Sequence, residues 1–127
     1  MVKLARYLSF WRASVGLGAL LAPGAMVALF GFPKQHDNAS TRMVARLFGL
    51  RELSMAGLTL ALNGDRDRRG LVYSYNAALD GADAAAALLT LAARRGIGRA
   101  ALGAFLVAVP QTIGWIYLAH AETKPAE

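Results

Sequence analysis

Four apolar runs, at about 8–32, 43–63, 71–93 and 99–119, alternate with polar breaks at 34–42, 65–69 and 94–99. Each run reaches the ~20 residues that an α-helix needs to cross a hydrocarbon core of about 30 Å. The breaks are short, so neighbouring helices are expected to run antiparallel. The pattern predicts an all-α chain: one domain over residues 1–127, a four-helix up-down-up-down transmembrane bundle. Lys3, Arg6 and Arg12 before the apolar stretch 15–22 imitate a signal peptide. The run continues through Pro23 to Phe32, which instead predicts a retained helix.

Folding the second and third runs about a break centred near residue 66 sets Arg51 and Glu52 level with Asp80 and Asp83. The rise behind this register is about 1.5 Å per residue. The same arithmetic at the other breaks brings Pro23, Pro110 and Gln111 into that slab. Charged side chains inside a span are costly and mark candidate sites. Tyr73, Asn76, Asp80, Asp83 and Ala87 share one helical face, which must point into the bundle. Arg51 is the cation at that depth and is expected to grip Asp80 or Asp83, while Glu52, about 100° around its helix, points to the first or fourth run. Arg12, near the start of the first run, is expected to reach back to the headgroups.

Three carboxylates against Arg51 leave two negative charges in a medium of low dielectric, so a proton or a bound cation is expected among them. Asp80, Asp83 and Glu52 are therefore the candidate catalytic residues, as general acid or base. Arg51, Asn76, Tyr73 and Gln111 are the candidate ligand-binding residues. The acids are expected to line a cavity opening towards Tyr73, Tyr75 and Trp115, since all six Tyr and Trp residues fall in the half nearer the termini.

Composition narrows the function. Hydrophobic residues make up 56% of the chain, above the usual 45–50% of soluble domains. The net charge of +6 sits in short loops beside apolar runs, where Lys and Arg meet lipid phosphates. No basic stripe with interleaved aromatics is present, so no nucleic-acid partner is expected. Basic residues are nearly even on the two sides and leave orientation open. There is no cysteine, which excludes disulfides and thiolate metal sites. His36 and His120 fall on opposite sides of the predicted bundle and cannot share a metal. No motif implies a cofactor.

The segments Leu21-Ala22-Pro23 to Leu29-Phe30-Gly31 and Arg46-Leu47-Phe48-Gly49-Leu50-Arg51-Glu52-Leu53 resemble small four-helix DoxX-like bacterial membrane proteins. The R-x-F-G-x-R-E stretch with later intramembrane acids is similar to the domain-of-unknown-function family numbered 4267. The resemblance implies a multi-pass protein of the bacterial inner (cytoplasmic) membrane and no established reaction. Some DoxX-like proteins are linked to quinone or thiol redox systems, but the thiol side has no residue to carry it here.

The leading expectation is a membrane protein whose Arg/Glu/Asp/Asp site binds a small lipophilic molecule. Acid–base chemistry such as isomerisation, cyclisation or epoxide opening would suit it. The alternatives are an accessory subunit of a membrane complex and a small proton-coupled transporter. Membrane lipids are the expected surroundings, with a homo-oligomer or larger complex as further partners.

Overall fold

The computed structural model describes residues 1–94 and 96–123; Arg95 and residues 124–127, Lys124 among them, lie outside the described residues. The first helix, α1 (Val2–Leu21), ends where Pro23 can offer no N–H to the helical ladder. Ala22 turns to φ −130°, ψ 58°, and Pro23 then opens α2 (Pro23–Leu29) at its first position, where a missing N–H costs nothing. A turn through Gly31 at φ 81° and a short 3-10 segment (Lys34–His36) lead to α3 (Ala39–Leu62). Asn38 caps α3, its side-chain oxygen accepting from the Thr41 N–H at 3.0 Å. Arg42, in the first turn of α3, donates to both carboxylate oxygens of Asp37 just before the cap, at 2.7 and 2.9 Å. That pairing holds the Asp37 carboxyl below its ordinary range.

Asp65 caps α4 (Arg66–Ala92) by accepting from the Asp67 and Arg68 N–H groups. After α4 the chain turns through Arg94 and Gly96, both at positive φ, into α5 (Gly98–Glu122). Pro110 lies inside α5, which continues through it.

Packing is uneven. The most extensive helix contacts are α4 with α5 and α1 with α3; α3 with α4 and α1 with α5 touch far less. The molecule is therefore two helix pairs joined along a seam, with α2 lying against α1 and α3. Near the start of α1 the seam is an apolar core of Ala5, Leu8, Tyr73, Trp115 and Leu118. The Tyr73 and Trp115 rings lie 5.8 Å apart, centroid to centroid.

This arrangement corrects the four-helix transmembrane bundle expected from the sequence. There are five α-helices among the described residues, and the first run, expected over 8–32, is split at Ala22. One helix among the described residues, α5, is long and apolar enough to cross a membrane. The reason is visible in the other helices. α1 carries Lys3, Arg6 and Arg12 and stops at Leu21; α3 carries Arg42, Arg46, Arg51 and Glu52; α4 opens on Arg66, Asp67, Arg68 and Arg69 and carries Asp80 and Asp83. Reading run lengths alone gave those charges too little weight.

Candidate functional site

The charged residues of the seam form one cluster with members from α1, α3 and α4. Arg12, only 1% exposed, donates from Nη2 to Asp80 Oδ1, and its Nε lies 3.4 Å from Glu52 Oε2. Arg51 grips Asp83 with two bonds, one of them Nη1 to Oδ1 at 3.1 Å, and also donates to Glu52 Oε1 at 3.0 and 3.2 Å. Glu52 is thus shared between the two guanidinium groups. Of the two acids expected for Arg51, Asp83 is its partner, and Asp80 belongs to Arg12. The two sides of the cluster differ in exposure. Arg12 and Asp80 are buried, whereas the Arg51 and Asp83 side chains are 35% and 37% exposed.

Arg12 is the residue that the sequence reading misplaced. It sits in the middle of α1, well inside the bundle, because α1 begins at Val2. With it, two arginines face three carboxylates, and the net charge of the ionised cluster is minus one instead of minus two. A signal was present. Ala5, Leu8, Ser9, Arg12, Gly16 and Ala19 are the buried face of α1, recurring at three- and four-residue steps. An arginine within a stripe of small residues points inward.

Glycine makes the Arg12 contact reachable. A Cβ on Gly49 would stand 2.6 Å from the Gly16 carbonyl oxygen, and one on Gly16 would stand 2.8 Å from the Gly49 carbonyl oxygen. α1 and α3 therefore cross backbone to backbone. Arg12 lies one turn before Gly16 and Glu52 lies one turn after Gly49, so the crossing delivers them to each other. Most of the R-x-F-G-x-R-E stretch acquires a physical role in this way. Phe48 has the Arg51 guanidinium 5.1 Å from its ring centre, Gly49 permits the crossing, and Arg51 and Glu52 join the cluster. Among the described residues Arg46 makes no comparable contact.

Next to the cluster is a cavity of about 300 Å³, the small end of the range for ligand pockets. Glu52, Asp80, Asp83 and Gln111 contribute polar groups. Val15, Phe30, Phe32, Phe48, Ile97, Ala104 and Val107 contribute much of the apolar wall. Asp80 Oδ2 and Gln111 Oε1, and the Arg12 Nε and Nη1 groups on the donor side, are buried without a hydrogen-bond partner among the described residues. Buried acceptors of this kind carry a desolvation cost unless something donates to them.

The sequence expectation for the mouth is corrected. The cavity extends from the acids towards Phe30, Phe32 and Ile97, at the opposite end from Tyr73 and Trp115, which are packed into the apolar core. Tyr73 and Asn76 stand outside the cavity. The Tyr73 hydroxyl donates to Asn63 Oδ1 at 2.6 Å, and Asn76 Nδ2 donates to Thr59 Oγ1 at 3.0 Å and to the Val72 carbonyl at 2.8 Å. Both residues lie on the α4 face of Asp80, as the spacing predicts, yet they tie α4 to α3 and do not border the cavity. Among the described residues no group of His, Asp and Glu has the arrangement to hold a metal ion.

Comparison with known proteins adds one relation. No curated protein matches the chain, and no solved structure does. The model of a family described as a domain of unknown function (DUF4267) matches residues 10–126, nearly the whole chain, and the protein belongs to that family.

Proposed function

We propose that this chain is a multi-pass membrane protein whose charge-lined cavity binds a small lipophilic molecule carrying a hydrogen-bond donor. The observation that carries the reading is the cavity itself. Its walls are largely apolar; among the residues lining it Arg12 Nε and Nη1 are donors without an acceptor, and Asp80 Oδ2 and Gln111 Oε1 are acceptors without a donor. A hydroxyl or amine on an otherwise apolar ligand supplies that donor, and the net negative charge of the cluster favours such a group over an anion. Asp80 is the residue we assign to any proton exchange with the ligand, as in isomerisation or epoxide opening, because it lines the cavity and one of its oxygens has no partner among the described residues.

Membrane placement is supported by the outer surface. Leu17, Leu21, Leu29, Leu47, Leu50, Leu58, Leu88, Leu89, Leu106, Ile113 and Ile116 are all exposed, apolar side chains that lipid would cover. The bacterial inner membrane and a kinship with DoxX-like proteins belong to the same proposal. The accessory-subunit alternative calls for a dry charge cluster, and here the cluster borders a cavity.

Native mass spectrometry of the detergent-released protein with octanol tests the reading. One octanol per chain is expected, weakened several-fold by Gln111→Leu and abolished by Ala104→Phe, which fills the cavity. Octanol adducts that are absent from the wild type, or unaltered by both substitutions, overturn it.

A further inference from the structure

A second cavity, of about 570 Å³, is lined by Gly31, Pro33, Leu91, Arg94, Gly96, Gly98 and Arg99. It abuts the acid-lined cavity, because alternate residues of the same two segments line the two. Phe30, Phe32, Ile97 and Ala100 face the inner space, while Gly31, Pro33, Gly98 and Arg99 face the outer one. Where the segments meet, a Cβ on Gly31 would stand 3.5 Å from the Arg99 Cβ. Charge changes sign along this path. The inner end presents three carboxylates against the one Arg12 guanidinium; the outer end presents Arg94 and Arg99, both exposed. Neither Arg94 nor Arg99 is in an ion pair among the described residues.

From this juxtaposition we propose that the ligand is bipolar: a lipophilic body with a donor group at the acid end and a phosphate-type anion held by Arg94 and Arg99. Guanidinium is the side chain best matched to a phosphate, gripping it with paired N–H bonds. Arginines that merely anchor a loop to the membrane surface would sit on a convex face with no cavity behind them. These two line a cavity whose neighbour along the same two segments is the largely apolar one. The inference rests on the lipophile reading above and specifies the ligand's second end.

Four probes separate the parts: octanol, octyl phosphate, the monophosphate of octanediol, and inorganic phosphate, each measured by native mass spectrometry. Octanediol monophosphate is expected to bind at least tenfold more tightly than octanol. Arg94→Gln with Arg99→Gln should erase that advantage and leave octanol binding unchanged. Gln111→Leu should weaken the diol ester and spare octyl phosphate. Lys34→Gln, a basic residue removed from the same end of the molecule, should change none of them. If the double arginine variant binds the diol ester as the wild type does, or Lys34→Gln weakens it equally, the anion site is refuted while the lipophile reading stands. If octanol itself fails to bind, the lipophile reading falls and this inference falls with it. If inorganic phosphate binds as tightly as the diol ester, the outer cavity is a site for free phosphate and the bipolar ligand is refuted.

Discussion

Arg12→Leu is the substitution that separates the two halves of the charge cluster. Arg12 is buried and is the direct partner of Asp80 and a neighbour of Glu52. Removing it strands buried carboxylate, and breaking a pair of that kind costs ~3–5 kcal/mol. Arg51→Leu removes a partner of Asp83 from a site where both side chains are more than a third exposed, and it leaves the buried Glu52 its Arg12 neighbour. Asp83 lines the cavity, and water there screens the pair, so its loss is expected to cost about 1 kcal/mol. For a chain of this size each kcal/mol shifts the melting temperature by roughly 4 °C, which separates a drop of ~12–20 °C from one of ~4 °C. Near-ultraviolet circular dichroism in detergent reads both, since Trp11 borders the cavity and Trp115 lies in the core. Arg12→Leu combined with Asp80→Asn should recover part of the loss, because the stranded charge is gone. If Arg51→Leu costs as much as Arg12→Leu, the division into a buried and a screened half is refuted.

Other outcomes follow from the same geometry. Gly49→Val drives a side chain into the Gly16 carbonyl and should cost at least ~1–3 kcal/mol in thermal denaturation. Gly57→Ala in the same helix meets nothing within 4 Å and should stabilise by about 0.5–1 kcal/mol; a destabilising Gly57→Ala would contradict the placement of α3. Tyr73→Phe leaves buried Asn63 Oδ1 without its donor and should cost ~1–3 kcal/mol, read by the same melts. Asp37 should titrate by NMR below 3.8, its ordinary value, because Arg42 donates to its carboxylate. With the folded value depressed, the pair's stabilisation is present above that ordinary value and disappears as pH falls through the folded one. Asp37→Asn should remove this part of the pH dependence, and a titration at or above 3.8 would reject the pairing.

Some of this was legible in the residues. Hairpin arithmetic about the break near residue 66 put Arg51 at the depth of Asp83, and the two are paired. It worked because α3 and α4 are continuous helices joined by a tight turn, so residue counts convert directly to height. Arg12 was placed differently, at a helix end, by taking the first run to begin at residue 8 when α1 begins at Val2. That shift moves Arg12 from a helix end into the middle of the bundle. The uneven pairing, α1 on α3 and α4 on α5, left no mark in hydropathy, because apolar runs do not say which helix they face. Gly16 and Gly49 held that information, as the two places where backbones touch. The mouth was misplaced for a related reason. Tyr73 and Trp115 looked like a rim, but they pack on each other, and the rim is made by phenylalanines and by the turn before α5.

The most direct test of the central claim is an experimental density map of the protein in a lipid nanodisc, focused on the space between Asp80 and Gln111. The account predicts an open cavity there, with ordered non-protein density in contact with Asp80 Oδ2 and Gln111 Oε1. A seam closed by direct packing of α5 on the charge cluster, with both oxygens bonded to protein donors, would contradict it.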